Sequence, residues 1–181
     1  RGGDTGNGTV SIAAEANATE GSRTAQLSFS SFGTVRSATV TQRGQKRTWN
    51  EWKEDEITSR DPDTDQTGPN DSPAGDGIPN LLKYATGLDP LKPCGSVVRV
   101  TAEGAGGDAC LVLGWPVNPE ATGIRHAVEA SEDLQTWTET AEVETEGKSS
   151  ATFRDAVPMN AESPRRRFLR LKISREGESP L

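Results

Sequence analysis

The stretch from Asp61 to Lys83 carries five aspartates and two asparagines, with no basic residue between its ends. The aspartates are Asp61, Asp63, Asp65, Asp71 and Asp76. Carboxylates packed this closely repel one another unless something cationic lies among them. Oxygen ligands on alternate residues followed by Asp-Gly, as at Asp76-Gly77, form a pattern that Ca²⁺ selects. The stretch therefore predicts a structural element that is pinned by calcium.

The predicted metal site draws on six side chains of this stretch. The candidate ligands are Asp61, Asp63, Asp65, Asp71, Asp76 and Asn80. Without a metal, the same residues would form a solvated acidic loop, because aspartate is also a common turn former. We expect a bound metal, since a metal ion adds stability to a chain whose apolar core is small.

Composition limits what the rest of the chain can build. Apolar residues make up only 31% of the 181 residues, and 19 glycines and 11 prolines indicate many turns. The net charge of −7 argues against nucleic acid as a partner. No apolar run approaches the roughly 18 residues that a membrane span requires. The chain is therefore long enough for one medium domain or two small ones, with little apolar material for their cores.

Cysteine usage favours an exported protein. The two cysteines, Cys94 and Cys110, are an even count in an acidic, turn-rich chain, which suits an extracellular or cell-surface location. A bridge between them would close a loop of about 16 residues and add roughly 3 kcal/mol of stability. The alternative is two free thiols. The beginning, Arg1-Gly2-Gly3-Asp4, does not resemble a signal peptide, so we expect an internal cut in a longer precursor or an artificial boundary.

Residues 1–46 carry the alternating pattern of half-buried strands in three places. The alternating apolar residues are Val10, Ile12 and Ala14; Ala25, Leu27 and Phe29; and Ala38 and Val40. Ser31-Phe32-Gly33-Thr34 is a candidate hairpin turn. The segment from Asn17 to Leu27 and the ending Ala38-Thr-Val-Thr-Gln42 resemble the closing half of bacterial Ig-like domains of the BACON type. Because such a sandwich has about seven strands, the chain is a fragment, or these strands pack on the rest of it, or another copy adds a strand.

Residues 47–93 predict a short connector with a helix, the calcium loop and a second helix. Thr48 followed by Glu51 fits a helix capping box. A second helix is predicted from Pro79 to Thr86, because proline suits a first turn and Gly87 a C-terminal stop. The buried faces would be Trp49, Trp52 and Ile57 in the first helix, and Ile78, Leu81, Leu82 and Ala85 in the second.

Residues 94–181 predict a C-terminal antiparallel β-sandwich. Short apolar segments mark about six strands, separated by turn signals such as Glu146-Gly147. The marker residues are Val98 and Val100; Leu111, Leu113 and Trp115; Val128 and Ala130; Val143; Phe153; and Leu169, Leu171 and Ile173. The fold class that we expect is mainly β: Ig-like strands, the helical connector with its calcium loop, and the sandwich.

Three motifs in this order resemble a recurring region of large exported proteins of environmental bacteria. They are Asp61-Pro-Asp63 with Asp76-Gly77-Ile-Pro-Asn80-Leu-Leu-Lys83-Tyr84-Ala-Thr-Gly87-Leu-Asp89-Pro90; Val128-Glu-Ala-Ser131-Glu-Asp133-Leu134-Gln-Thr-Trp137; and Arg167-Phe168-Leu-Arg170-Leu171. The resemblance spans about 120 residues. It implies a calcium-binding loop related to those of thrombospondin type 3 repeats and dockerins, followed by a β-rich C-terminal module.

Two departures from that pattern affect the implied ligand set. Eleven residues separate Asp65 from Gly77, so Asp65 and Asp76 cannot both hold the position before the glycine. Lys83 stands where a bidentate glutamate would bind the metal, and an ammonium there would repel the ion. Asn70 or Asp71, in the inserted segment, would then have to compensate.

Signatures of catalysis are weak. His126 is the only histidine and has no nucleophile or metal-ligand motif beside it, so we expect no enzymatic activity. Trp115 and Trp137 would be able to stack on sugar rings if they were exposed, although the surroundings of Trp137 favour packing. The run Arg165-Arg166-Arg167 is short in an acidic chain and favours a strand edge or turn over a polyanion site.

These features lead us to expect a calcium-stabilised structural module of a secreted or cell-surface protein. It would serve assembly or adhesion, for example as a filament or surface-layer subunit, with strand donation between subunits as one route of assembly. Its partners would be further copies of itself or neighbouring domains of a larger surface protein. The alternative is a carbohydrate-binding or accessory module of a secreted hydrolase, with polysaccharide as the partner.

Overall fold

The structure is a computed structural model that describes residues 11–15, 17, 19, 22–31, 33–42, 44–159 and 166–177. Across these residues the chain is mainly β, as expected. The strands are β1 (Arg23–Ser31), β2 (Thr34–Gln42), β3 (Arg99–Glu103), β4 (Cys110–Pro116), β5 (Ile124–Ser131), β6 (Thr138–Glu142), β7 (Ser150–Pro158) and β8 (Phe168–Arg175). The helices are α1 (Trp49–Lys53), continued by a π-helix (Glu54–Thr58), α2 (Asn80–Thr86) and a 3₁₀ turn (Gly106–Asp108). The chain divides into two compact units, the N-terminal unit (Arg1–Gln45) and the C-terminal unit (Lys46–Leu181).

The N-terminal unit contains an antiparallel hairpin, β1–β2, where the alternating pattern predicts it. The register pairs each of the nine residues of β1 with one of the nine residues of β2. Gly33 lies in the turn with φ +82°, a conformation that glycine adopts without a steric penalty. Phe32, in the same predicted turn, lies outside the described residues. The prediction of an earlier strand is wrong, because residues 11–15 are irregular and exposed, and Val10 is again outside the described residues.

One face of the hairpin is apolar and remains open to solvent. Side chains alternate along a strand, so each second residue shares a face with its cross-strand partners. The face contains Ala25, Leu27 and Phe29 of β1 and Arg36, Ala38 and Val40 of β2, and we call it the apolar face. Phe29 is 39% exposed and Val40 is 36% exposed. Within the described parts of the chain, neither outer edge of the hairpin pairs with a further strand.

In the C-terminal unit, α1 begins at the predicted capping box. The Thr48 hydroxyl oxygen accepts the Glu51 N–H at 3.4 Å, and the Glu51 carboxylate accepts the Thr48 N–H at 2.9 Å. These bonds satisfy donors that the first turn of a helix leaves unpaired. The predicted apolar face is buried in a first apolar cluster, whose members are Trp49, Trp52, Ile57, Leu81 and Tyr84.

The second helix, α2, also has the predicted ends. It follows Pro79 and stops at Gly87, whose φ is +74°. Leu81 and Ala85 are buried, whereas Ile78 and Leu82 are half-buried. Tyr84 is fully buried, and its hydroxyl lies within hydrogen-bond reach of the carbonyls of Arg47 and Thr122. Where the structure describes the chain, no helix has the length and apolar character needed to cross a membrane.

Two three-stranded antiparallel sheets complete the C-terminal unit. Their strand orders are β3-β4-β7 and β6-β5-β8. A second apolar cluster takes side chains from both sheets: Leu113, Trp115, Val117, Val128 and Ala151, with Val98, Val143, Phe153, Leu169 and Leu171 packed against it. Each of these strands contains or adjoins one of the predicted apolar segments, although Val98 and Val143 lie one residue outside β3 and β6. The finer predictions, which are an Ig-like arrangement, a true sandwich and a helix–calcium loop–helix connector, stay predictions.

The chain enters and leaves the C-terminal unit beside one segment, residues 120–124. The backbone N–H of Arg47 donates to the carbonyl of Glu120 at 2.7 Å. At the other end, the N–H of Glu176 donates to the carbonyl of Gly123 at 2.9 Å. Arg47 and Glu176, near the first and last described positions of this unit, are therefore close together.

Candidate functional site

The acidic loop, residues 59–79, connects the π-helix to α2. At its start, the N–H of Asp61 donates to the carbonyl of Ile57 at 2.8 Å, and Ile57 belongs to the first apolar cluster. At its end, the N–H of Asn80 donates to the carbonyl of Asp71 at 2.8 Å. The loop is thus anchored to the core at both ends.

Lys83 is buried against this loop. Its side chain is 0% exposed, and its Nζ lies 2.8 Å from Oδ2 of Asp76. The same ammonium donates to the carbonyl of Lys92 at 3.0 Å and to that of Pro90 at 3.4 Å. Three acceptors match the three N–H groups of a lysine. The sequence pattern marks Lys83 as repulsive to a metal, but it gives no sign that the ammonium is itself enclosed by oxygen atoms.

The Asp76 carboxylate is surrounded by protein donors. Its Oδ1 accepts the Ser72 hydroxyl at 2.9 Å and the Ile78 N–H at 3.0 Å. Its Oδ2 accepts the Cys94 N–H at 2.9 Å in addition to the Lys83 ammonium. These four donors account for the acceptor positions of a carboxylate. The hydrogen bond from Lys83, helped by the backbone N–H groups, holds the pKa of Asp76 far below its usual range.

Asn80 ties the first half of the acidic loop to α2. Its side chain is 0% exposed, and its Nδ2 donates to the carbonyls of Gln66 at 3.1 Å and Gly68 at 3.0 Å. Its Oδ1 is buried and has no hydrogen-bond partner in the described part of the chain. A buried oxygen without a donor costs on the order of 1–3 kcal/mol. A cation or an ordered water is the kind of partner that would satisfy it.

The other predicted ligands do not share a common centre. The Asp71 carboxylate accepts the N–H of Gly68 at 2.7 Å, Asp61 is half-buried, and Asp63 and Asp65 are exposed. Among the residues that the structure describes, no three acidic, histidine or cysteine side chains gather where an ion could be held. Calcium binding by these residues therefore stays a prediction.

A chain of ion pairs braces the start of the acidic loop. Arg60 lies 3.0 Å from a carboxylate oxygen of Glu56 and 2.9 Å from one of Asp89. The hydrogen bond from Arg60 lowers the pKa of Asp89 to about 2, and the N–H of Leu91 contributes to this shift. The pattern of the sequence does not reveal this brace, because Arg60 and Asp89 lie 29 residues apart.

Cys94 and Cys110 are free thiols in the structure, so the predicted disulfide is not formed in it. The Cys94 Sγ lies 3.4 Å from the carbonyl of Gly95. The Cys110 side chain is buried at the start of β4, with its Sγ 3.5 Å from the carbonyl of Asp108. Each thiol thus contacts a carbonyl of its own local backbone instead of the other cysteine.

The Trp115 ring is not available to a sugar, because it is only 3% exposed. Its Nε1 donates to Nδ1 of His126 at 3.2 Å, and the two ring planes are within 13° of parallel, with their centroids 6.4 Å apart. His126 is also buried, and this burial lowers its pKa to about 4. The single histidine is therefore a neutral member of the core.

The surface candidates for an outside ligand are engaged within the C-terminal unit. The Arg170 guanidinium lies 4.1 Å from the centre of the Trp137 ring and covers one of its faces. In the basic run, Arg165 lies outside the described residues, and Arg167 forms hydrogen bonds of 2.6 and 2.8 Å with Asp155. A polysaccharide or a polyanion would have to displace these contacts.

No family model, no curated protein and no solved structure matches this chain. Two features of the chain need a partner that the described residues do not supply: the exposed apolar face of the β1–β2 hairpin and the buried Oδ1 of Asn80.

Proposed function

We propose that this chain is a non-enzymatic structural module of a secreted or cell-surface protein, stabilised by Ca²⁺ and serving assembly or adhesion. The observation that carries the proposal is the apolar face of the β1–β2 hairpin, which is open to solvent. A two-stranded hairpin is marginally stable by itself in water and needs further strands or a packed face. A hairpin with this pattern is therefore expected to be covered in the working protein.

The proposed partner is a β-segment from another copy of the chain or from a neighbouring domain of a larger surface protein, which would pair with an outer edge of the hairpin and bring further chain over its apolar face. The outer edges of β1 and β2 have no strand partner in the described ranges, and such edges are templates for strand addition. Covering Leu27, Phe29 and Val40 would also remove apolar surface from water, at about 25 cal/mol per Å². A second sheet layer over this face would give the Ig-like sandwich that the resemblance implies.

The assembly proposal is tested by changing one face of β1 at a time. Phe29→Lys places a charge on the apolar face, whereas Ser28→Lys places the same charge on the opposite face and serves as the matched control. We expect electron microscopy of the wild type to show filaments or a lattice. We expect light scattering to show association weakened by roughly tenfold or more in Phe29→Lys, equivalent to at least about 1.4 kcal/mol. Monomeric wild type at high concentration, or equal effects of both variants, would contradict the proposal.

The calcium part of the proposal is supported by Asn80 and the first half of the acidic loop. The buried Oδ1 of Asn80 needs a positive or protic partner, and the carbonyls of Gln66 and Gly68 lie at the same side chain. Together with the carboxylates of Asp61, Asp63, Asp65 and Asp71, they are the hard oxygen donors that Ca²⁺ prefers. A bound ion would offset the repulsion among these carboxylates and stabilise the folded state by linkage.

Removing calcium tests this part independently of assembly. We expect a chelator to lower the Tm, because an ion at 100 times its Kd contributes about 2.7 kcal/mol. Asp61→Ala and Asp63→Ala should lose most of that shift. Asp108→Ala, an exposed aspartate in the 3₁₀ turn, should keep it and is the control. If chelation leaves the Tm unchanged, and Asp61→Ala behaves as the wild type does, the calcium proposal is wrong.

A further inference from the structure

The segment around Asp76 has the spacing of a calcium loop but the wrong residues at several ligand positions. In a twelve-residue loop of this kind, positions 1, 3, 5, 9 and 12 supply side-chain ligands and a glycine at position 6 makes the turn. Gly77, with φ +74°, suits position 6. The ligand positions then hold Ser72, Ala74, Asp76, Asn80 and Lys83. One carboxylate remains, position 3 has no side-chain oxygen, and position 12 carries a positive charge.

The geometry points to Lys83 itself as the cation of this turn, in the place of a metal ion. Its ammonium is enclosed by the Asp76 carboxylate at 2.8 Å and by two backbone carbonyls at 3.0 and 3.4 Å. The lysine side chain is 0% exposed, so water does not replace any of these oxygen atoms. A tethered ammonium in a shell of oxygens neutralises the carboxylate as a bound ion would.

The turn around Asp76 needs no metal ion, because its one carboxylate is already neutralised by Lys83. Asp76 and Lys83 form a neutral pair, and the side chain of Asp76 is only 5% exposed. A divalent ion at Asp76 would have to displace the ammonium and leave it buried without a carboxylate, which is strongly unfavourable. Asp76 is therefore not a calcium ligand in this protein. The proposed calcium at Asn80 is not affected, because the Asn80 side chain donates to the carbonyls of Gln66 and Gly68 and not to Asp76.

Nuclear magnetic resonance of the full wild-type chain tests the inference directly. Ca²⁺ is added to about 10 mM, above the Kd of even weak protein sites. We expect the Asp76 carboxyl ¹³C signal and the Lys83 ammonium ¹⁵N signal to stay at their positions in chelator. If both signals move, the ion has displaced the ammonium and the inference is overturned. If only signals of Asp61, Asp63 and Asn80 move, both this inference and calcium at Asn80 are supported.

Two variants provide a second test. Lys83→Glu places a carboxylate at position 12, so we expect its Tm to fall by about 10 °C in chelator and to recover with Ca²⁺ more than the wild type does. If Lys83→Glu folds without gaining a calcium response, position 12 is not a cation position and the inference fails.

The double variant Asp76→Asn/Lys83→Met removes both charges and covers the case in which Lys83→Glu does not fold. We expect it to fold and to show the same calcium response as the wild type, whatever that response is. If the double variant loses a response that the wild type has, Asp76 is a ligand and the inference is overturned.

Discussion

At the scale of single residues, the charged side chains Lys83, Glu129 and Asp155 are buried in the C-terminal unit, and each is paired with a residue of opposite charge. Asp155 is 2% exposed and is paired with Arg167. Glu129 is 5% exposed and accepts from Lys172 at 2.8 Å. Burial alone would raise the pKa of Glu129, but hydrogen bonds from cationic side chains outweigh it and lower the pKa. Removing one member of such a pair leaves a buried charge alone, so these residues tolerate replacement poorly.

The pH dependence of stability should report on His126. Its pKa is lowered to about 4 in the folded chain, from an ordinary value of 6.5. The unfolded chain therefore binds this proton first, so stability is full above about pH 6.5 and decreases by roughly 2–3 kcal/mol as the pH falls towards 4. His126→Asn keeps an acceptor near Nε1 of Trp115 and does not titrate. Urea unfolding across this range should give a flatter profile for the variant; parallel profiles would contradict the argument.

The sequence predicts only part of the candidate site at this scale. The aspartates and Lys83 stand out as a charge pattern next to the Asp-Gly turn. The sequence does not predict the pairing of Lys83 with Asp76, because a pattern of charges does not show which of them the tertiary structure removes from water. The Cys94 N–H that completes the Asp76 shell is 18 residues away, and backbone donors leave no mark on a sequence.

At the scale of elements, α2 shows how a short helix is held in place. Seven residues are too few for a stable helix in isolation. Six of those residues are buried, and the helix ends at a left-handed Gly87. Packing and the C-terminal stop, rather than helix propensity, therefore determine where α2 lies, and with it the positions of Asn80 and Lys83.

The stop residue of α2 gives a prediction with an internal control. Gly87→Ala should reduce the stability of the C-terminal unit by about 1 kcal/mol, because φ is +74° there. A new Cβ would lie 3.6 Å from Cβ of Asn118, an ordinary contact, so the effect is conformational. Gly95→Ala meets nothing within 4 Å and should change stability by less than about 0.5 kcal/mol. Thermal unfolding measures the stability of both variants. An equal loss of stability in both would show that the left-handed conformation at Gly87 does not cause the effect.

The elements that the sequence predicts well are those with local signals. The capping box at Thr48, the stop at Gly87 and the alternation in β1 and β2 each depend on residues a few positions apart. Ile12 and Ala14 carry the same alternation and yet form no strand, because a strand also needs a partner, which a local pattern does not supply. The π-helix that extends α1 has no sequence signal of its own that we can name.

At the scale of the whole molecule, the two units differ in how they are stabilised. The C-terminal unit has two apolar clusters, and its two three-stranded sheets contribute to the second. Within its described residues the N-terminal unit contains one hairpin, and the apolar face of that hairpin is exposed. Composition alone predicts a thin core for the chain. It does not predict that the buried apolar side chains are concentrated in the C-terminal unit, because burial depends on which strands and helices pack together.

The nearness of Arg47 and Glu176 has a mechanical consequence. Tension applied to the chain on either side of the C-terminal unit would act first on the backbone bonds at Glu120 and Gly123. Tyr84 of α2 would share this load, because its hydroxyl lies within hydrogen-bond reach of the carbonyls of Arg47 and Thr122. A module that carries load within a larger surface protein would thus take up the pull first at residues 120–124 and at the buried tyrosine that contacts them.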